Sequence, residues 1–167
     1  YIRHYQEAIE HSTKALEAGG LSAAEHAKVL TNRGVAYGAQ QRYDRAIEDF
    51  SKAIEMNQDN YMAYNNRGIA YGNEQQFDKA IEDFTRAIEL SPKYSNAYTN
   101  RGGVYGHKQQ YTRAIEDYDK AIQLNPRDHK AYTNRGVAYG VKSEYTKAIN
   151  DFTKAIELNP ANDEAYN

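Results

Sequence analysis

The sequence predicts an all-α array of paired helices. Three observations carry that prediction: a 34-residue internal repeat, apolar residues at helical spacing, and prolines where helices must stop. The stretch Ala63 to Gly72 returns from Ala97 to Gly106 and again from Ala131 to Gly140, and an earlier copy runs from Leu30 to Gly38. Within these copies Gly34, Gly68, Gly102 and Gly136 are 34 residues apart. Four complete units follow: 27–60, 61–94, 95–128 and 129–162.

Each unit reads as two helices. In the second helix of 61–94, apolar residues fall at Phe77, Ala80, Ile81, Phe84, Ala87, Ile88 and Leu90. That spacing lays one apolar stripe along a helix and does not fit the alternation of a strand. The first helix carries Ala63, Tyr64, Gly68, Ala70 and Tyr71. Its small residues admit a close partner helix, and its aromatics fill the space between units. The stops are Ser91-Pro92, Asn125-Pro126 and Asn159-Pro160, because proline removes a helical N–H donor and disfavours helical dihedrals in the residue before it. Unit 27–60 has Asn57-Gln58 at that place, without the proline.

The unit length, the Tyr-x-x-x-Gly-x-x-Tyr of the first helix, the Ala-x-x-x-Phe/Tyr-x-x-Ala of the second and the closing proline together resemble the tetratricopeptide repeat (TPR) family over nearly the whole chain. The resemblance implies antiparallel helix pairs stacked into a right-handed superhelical solenoid with a concave groove. It also implies a non-catalytic scaffold that holds an extended segment of another protein in that groove.

The two ends depart from the regular pattern. Residues 1–26 match only the second helix of a partial repeat plus a linker, and the next unit arrives four residues late, after Gly19-Gly20. Ser22 with Glu25 reads as a capping box, so the helix into Gly38 should start a turn early. Residues 163–167 open a further first helix, with Ala165 and Tyr166 in place. No charged capping helix is visible at either end. Head-to-tail self-association is therefore an alternative role, as is substrate recognition on behalf of a larger enzyme.

Composition narrows the partners. Lys plus Arg number 21 and Asp plus Glu 23, a net charge of -2, which argues against nucleic acid or an anionic membrane as the main partner. No apolar run is long enough to span a bilayer, and the first residues lack the apolar core of a secretory signal. The chain does not begin with Met, so a removed leader stays open, and the compartment stays unknown. There is no cysteine, hence no disulfide or thiolate metal site. The five histidines form no i, i+4 pair, and neither a phosphate loop nor a nucleophile elbow is present. The pairs Glu48-Asp49, Glu82-Asp83 and Glu116-Asp117 recur with the unit, and neighbours on a helix point about 100° apart, so their role is structural. No catalytic residue, metal or cofactor is expected. The recurring tyrosines fill the core, since a stacking platform for bases needs a basic groove.

Two departures from the family pattern occur together in all four units. Arg33, Arg67, Arg101 and Arg135 stand where the family commonly has Leu. Asp49, Asp83, Asp117 and Asp151 stand where it commonly has an aromatic residue. A lone buried charge is costly, so an internal Arg–Asp ion pair is expected in each unit.

Positions 2, 5, 6, 9, 12 and 13 of each unit share one face of the first helix by helical spacing. The family resemblance puts that face on the concave side. The candidate peptide contacts there are Lys28, Thr31 and Asn32, then Asn65 and Asn66, then Thr99 and Asn100, then Lys130, Thr133 and Asn134. Asn32, Asn66, Asn100 and Asn134 form a ladder of amides, each with donors and an acceptor suited to an extended backbone. Glycine at position 12 (Gly38, Gly72, Gly106 and Gly140) weakens a helix by roughly 1 kcal/mol. Four at one position suggest close approach, either of a ligand or of a neighbouring first helix. The face can be compared with that of co-chaperones that clamp the carboxylate tails of heat-shock chaperones: Asn66 or Asn100 and Lys130 fit positions of that clamp. Asn134 stands where the clamp needs Arg, however, and position 5 is Thr or Asn throughout, so a carboxylate clamp is not expected.

Overall fold

The structure is a computed structural model in which residues 2–160 are described. The stretch 163–167 lies outside them. The chain divides into two compact units, one ending at Ser91 and the other beginning at Pro92.

The first unit contains α1 (Ile2–Ala18), α2 (Ala23–Ala39), α3 (Tyr43–Met56), α4 (Tyr61–Asn73) and α5 (Phe77–Leu90). Helices α2 with α3, and α4 with α5, form hairpins; α1 lies against α2 as α3 lies against α4, and α2 touches α4. The second unit contains α6 (Ser95–His107), α7 (Tyr111–Leu124), α8 (His129–Val141) and α9 (Tyr145–Leu158). It repeats the arrangement: α6 pairs with α7, α8 with α9, α7 lies against α8 and α6 touches α8. No strand occurs among the described residues.

The early start of α2 is found. Ser22 caps it, its hydroxyl accepting from the Glu25 N–H at 3.3 Å, while the Glu25 carboxylate accepts from the Ser22 N–H at 2.9 Å. The Ser22 hydroxyl also donates to the Glu25 carboxylate at 2.7 Å, and this bond, with the one from the Ser22 N–H, holds the Glu25 carboxyl below its ordinary pKa.

Each hairpin turns the same way. Gln41, Gln75, Gln109 and Ser143 take φ of 58 to 62°. In the first hairpin the Gln41 N–H donates to the Gly38 carbonyl at 2.9 Å and the Arg42 N–H to the Tyr37 carbonyl at 3.0 Å. This is a Schellman motif, which satisfies the last carbonyls of the first helix. Glycine is the usual residue there, and a side chain in the left-handed region costs about 1–2 kcal/mol.

Alanine makes the hairpins tight. Ala46, Ala80 and Ala114 are fully buried, as are Ala53, Ala87, Ala121 and Ala155 on the second helices and Ala63, Ala97 and Ala131 on the first. An aromatic ring fills the remaining space in each pair: Phe50, Phe84, Tyr118 or Phe152. Phe84 is 1% exposed, and burying such a side chain contributes roughly 1.5–3 kcal/mol.

The position-8 glycines sit under these rings. A Cβ on Gly34 would lie 2.7 Å from Phe50 Cε1, one on Gly68 2.8 Å from Phe84 Cε1, and one on Gly102 2.7 Å from Tyr118 Cε1. One on Gly136 would lie 2.7 Å from Phe152 Cε1. Real Cβ atoms do not come that close, so each ring depends on the missing side chain.

Candidate peptide-binding face

Each first helix has a buried side, which fixes the geometry, and an exposed side. The buried side is organised by the expected ion pair, and the structure contains it in every unit. Arg33 grips Asp49 with both prongs, Nε at 2.7 Å and Nη2 at 2.8 Å. Arg67 holds Asp83 at 2.8 and 2.8 Å, Arg101 holds Asp117 at 2.8 and 2.8 Å, and Arg135 holds Asp151 at 2.7 and 2.7 Å. The carboxylates are buried and the guanidiniums nearly so. The hydrogen bonds to Asp raise the pKa of each Arg above its ordinary value.

The tyrosines belong to the same device. Arg67 Cζ lies 5.7 Å from the Tyr64 ring and 5.8 Å from the Tyr71 ring. Arg135 lies 5.5 and 5.8 Å from Tyr132 and Tyr139. These are cation–π distances, supplied by the i−3 and i+4 neighbours on the helix.

A third bond was not read from the sequence. Arg67 Nη1 donates to the Ser51 hydroxyl of the preceding repeat at 3.0 Å, and Arg135 Nη1 to the Asp119 carboxylate at 2.5 Å. Arg33 Nη1 reaches Thr13 on α1 at 3.1 Å. The available signal was a polar acceptor recurring 16 residues before the arginine, at Ser51 and Asp119.

The expected ligand face divides in two. Thr31, Asn65, Thr99 and Thr133 are buried, at 2 to 9% exposure. Thr31 and Thr99 turn toward the neighbouring first helix instead of outward. Thr31 accepts from the side chain of Asn60, the N-cap of α4, at 3.3 Å, and Thr99 donates to Asp128, the N-cap of α8, at 2.9 Å. Position 5 lies about 100° around the helix from position 6, which is enough to carry it into the seam. Asn32 is exposed, and Asn66, Asn100 and Asn134 are half-buried; Lys28 and Lys130 are exposed. Asn66 accepts from its buried neighbour Asn65 at 3.3 Å.

The position-12 glycines are not packed as a neighbouring-helix contact would require. A Cβ on Gly38 or Gly140 would meet nothing within 4 Å, and one on Gly106 would meet only the Tyr118 hydroxyl at 3.9 Å. Gly38 and Gly106 border open notches. One notch, between α2 and α4, has a volume of about 280 Å³ and is lined by Gly38, Phe50, Asn66 and Ile69 among others. Another, between α6 and α8, has about 340 Å³ and is lined by Gly103, Gly106, Tyr118, Asn134, Val137 and Val141 among others.

The large apolar side chains that stay exposed gather here. Among the described residues, five of eight, Val35, Met62, Ile69, Val137 and Val141, lie on the first-helix face at 40 to 56% exposure. Among the described residues no cluster of three or more His, Asp or Glu is placed to hold a metal ion, and no helix is long and apolar enough to cross a membrane.

Repeated helix pairs, each with a packed core and an exposed, neutral, partly apolar face, define a helical-repeat scaffold for binding protein segments. The tetratricopeptide repeat profile matches residues 27–60, 61–94, 95–128 and 129–162, and the chain belongs to that family. Its fold is a non-catalytic scaffold for peptide and protein binding. No curated protein matches the chain significantly. Among solved structures it is similar to the crystal structure of MamA, at 29% identity and a TM-score of 0.80, covering 93% of this chain and 89% of that one. It is also similar to the first TPR domain of Spaghetti (RPAP3) bound to the HSP90 peptide SRMEEVD, at 28% identity and 0.70, covering 72% and 95%. The TPR protein YrrB, described as having an unusual peptide-binding site, shares the fold at 24% identity and 0.75, covering 99% and 83%.

Proposed function

We propose that the exposed first-helix faces bind an extended peptide, with Asn32, Asn66, Asn100 and Asn134 engaging its backbone and the apolar notches receiving its side chains. The observation that carries this reading is the collection of exposed Val35, Ile69, Val137 and Val141 on the same face as the asparagines. A scaffold with no need of that face would cover it with polar residues, since contiguous exposed apolar surface marks interaction sites. Lys130 stands at the start of α8 and Lys28 more than a turn into α2, both exposed, where they can meet peptide carbonyls or carboxylates. Thr31, Asn65, Thr99 and Thr133 act by holding the seam and not by direct contact. The peptide seen with the Spaghetti domain, SRMEEVD, is rich in acidic residues; the asparagines on this face favour a neutral segment instead.

The test is Asn66→Ala with Asn134→Ala, one amide from each notch. Each lost hydrogen bond is worth roughly 1 kcal/mol, so peptide affinity should fall about tenfold or more while the melting temperature hardly moves. Equal affinity of parent and double variant, measured by calorimetry on a selected peptide, would remove the amides from the site.

A second reading rests on α9. Tyr145 and Ile149 are 64% and 62% exposed, whereas their counterparts Tyr43 and Ile47 pack into the core of the first unit. Head-to-tail association through α9 would cover them. Sedimentation should then show concentration-dependent association that Tyr145→Glu with Ile149→Glu abolishes; a monomer at all concentrations in the parent rules it out.

A further inference from the structure

Three of the four second helices place a phenylalanine beneath the position-8 glycine: Phe50, Phe84 and Phe152. The fourth places Tyr118. The same repeat carries a second change, on the facing helix. Where the others have Val35, Ile69 and Val137, it has Gly103.

The two changes meet in space. Tyr118 is 3% exposed and lines the α6–α8 notch. Its hydroxyl lies 4.0 Å from where a Cβ of Gly103 would stand and 3.9 Å from that of Gly106. Among the described residues no protein group is hydrogen-bonded to it. The ring is buried while the hydroxyl opens into the notch, a polar atom at the bottom of a cavity. Simple accommodation does not account for Gly103, because an alanine Cβ at 4.0 Å would be in ordinary contact. Glycine takes away more than the hydroxyl needs and leaves it open to the notch.

The surroundings define what fits. No Lys, Arg, Asp or Glu lines this cavity; His107, Tyr111 and Asn134 share its wall with Tyr118, and Val137 and Val141 are among its apolar members. A carboxylate entering it would lose water and meet no lysine or arginine. An ammonium group has no lone pair to accept with. An aliphatic group would leave the hydroxyl unpaired. Burial raises the phenol's pKa, so it stays a donor throughout the neutral range.

We propose that the α6–α8 notch is a specificity pocket for a neutral peptide side chain that ends in a hydrogen-bond acceptor, namely Gln, Asn, Ser or Thr, which the Tyr118 hydroxyl meets in the space Gly103 leaves. The proposal rests on the peptide-binding reading above and adds a preference that the other notch, floored by Phe50, does not share.

The experiment selects peptides from a random-peptide display library on the whole chain, on Tyr118→Phe and on Gly103→Val. Phenylalanine serves at this place in the other repeats, so Tyr118→Phe should melt with the parent. Peptides chosen by the parent should share Gln, Asn, Ser or Thr at one position, and those chosen by Tyr118→Phe should carry Leu, Ile, Met or Phe there. The parent's consensus peptide should bind Tyr118→Phe about five- to tenfold more weakly, and its acceptor-to-Leu version should reverse that order. Gly103→Val should lose the acceptor preference by filling the space, and it carries the comparison alone if Tyr118→Phe does not fold. The same consensus and affinities on all chains would overturn the pocket and leave peptide binding standing. If no chain enriches a peptide, both readings fall.

Discussion

The two sides of each first helix use glycine for opposite ends. On the buried side, Gly34, Gly68, Gly102 and Gly136 lie under an aromatic ring, and a methyl group there would overlap it. On the exposed side, Gly38 and Gly140 border open space, and a methyl group would touch nothing within 4 Å. Both rows have the same helix-weakening cost and recur at the same interval. Packing accounts for the first row and leaves the second without a structural role. A residue that costs stability and serves no contact in the fold is where a binding function is best sought. The charged and amide residues divide in a similar way: each arginine turns to the buried side and grips its aspartate, while of the asparagines one position earlier Asn32 is exposed and Asn66, Asn100 and Asn134 are half-buried.

The contrast can be broken most forcefully at the ion pair. Arg67→Leu leaves Asp83 buried and unpaired, and the chain should lose about 3–5 kcal/mol, read as a drop in the urea midpoint. Adding Asp83→Tyr restores the apolar pattern common in the family and should recover much of the loss. A double variant as unstable as the single would show the two residues to be uncoupled.

The glycine rows come next. Gly68→Ala pushes a methyl group into the Phe84 ring, which is fully enclosed and has nowhere to retreat, so a loss of about 1–3 kcal/mol is expected. Gly38→Ala should do the reverse, raising stability by up to about 1 kcal/mol through helix propensity. Thermal unfolding of the two variants side by side reads the sign of each. Two losses of similar size would mean that the exposed row is packed after all. Binding gives the smallest effect: Gly38→Ala narrows the α2–α4 notch, so a bound peptide should weaken a few-fold even as the fold gains stability, the magnitude of one modest contact.

Much of this was legible in the sequence because the repeat writes the same message four times. The helix spacing, the proline stops, the Ser22–Glu25 cap and the pairing of Arg67 with Asp83 all follow from local pattern or from two departures occurring together. The site was less legible. Thr31 and Thr99 share a helical face with Asn32 and Asn100 by spacing, yet the threonines reach the N-caps Asn60 and Asp128 and are buried. Helical periodicity gives an angle around an axis. It does not say how close the next helix stands or how wide an arc it covers.

The sequence by itself therefore determined that each unit is a pair of helices, where the second helices before Pro92, Pro126 and Pro160 stop, and that the recurrent Arg and Asp need one another, because propensity, proline chemistry and the cost of an unpaired charge act along the chain. Only the tertiary structure decided which glycine row is filled by a ring, which acceptor takes the third arginine bond, and that the Tyr118 hydroxyl ends unpartnered in a notch. Each of those is a distance between atoms on different helices, set by how the helices pack, and no residue's own neighbours in sequence contain it.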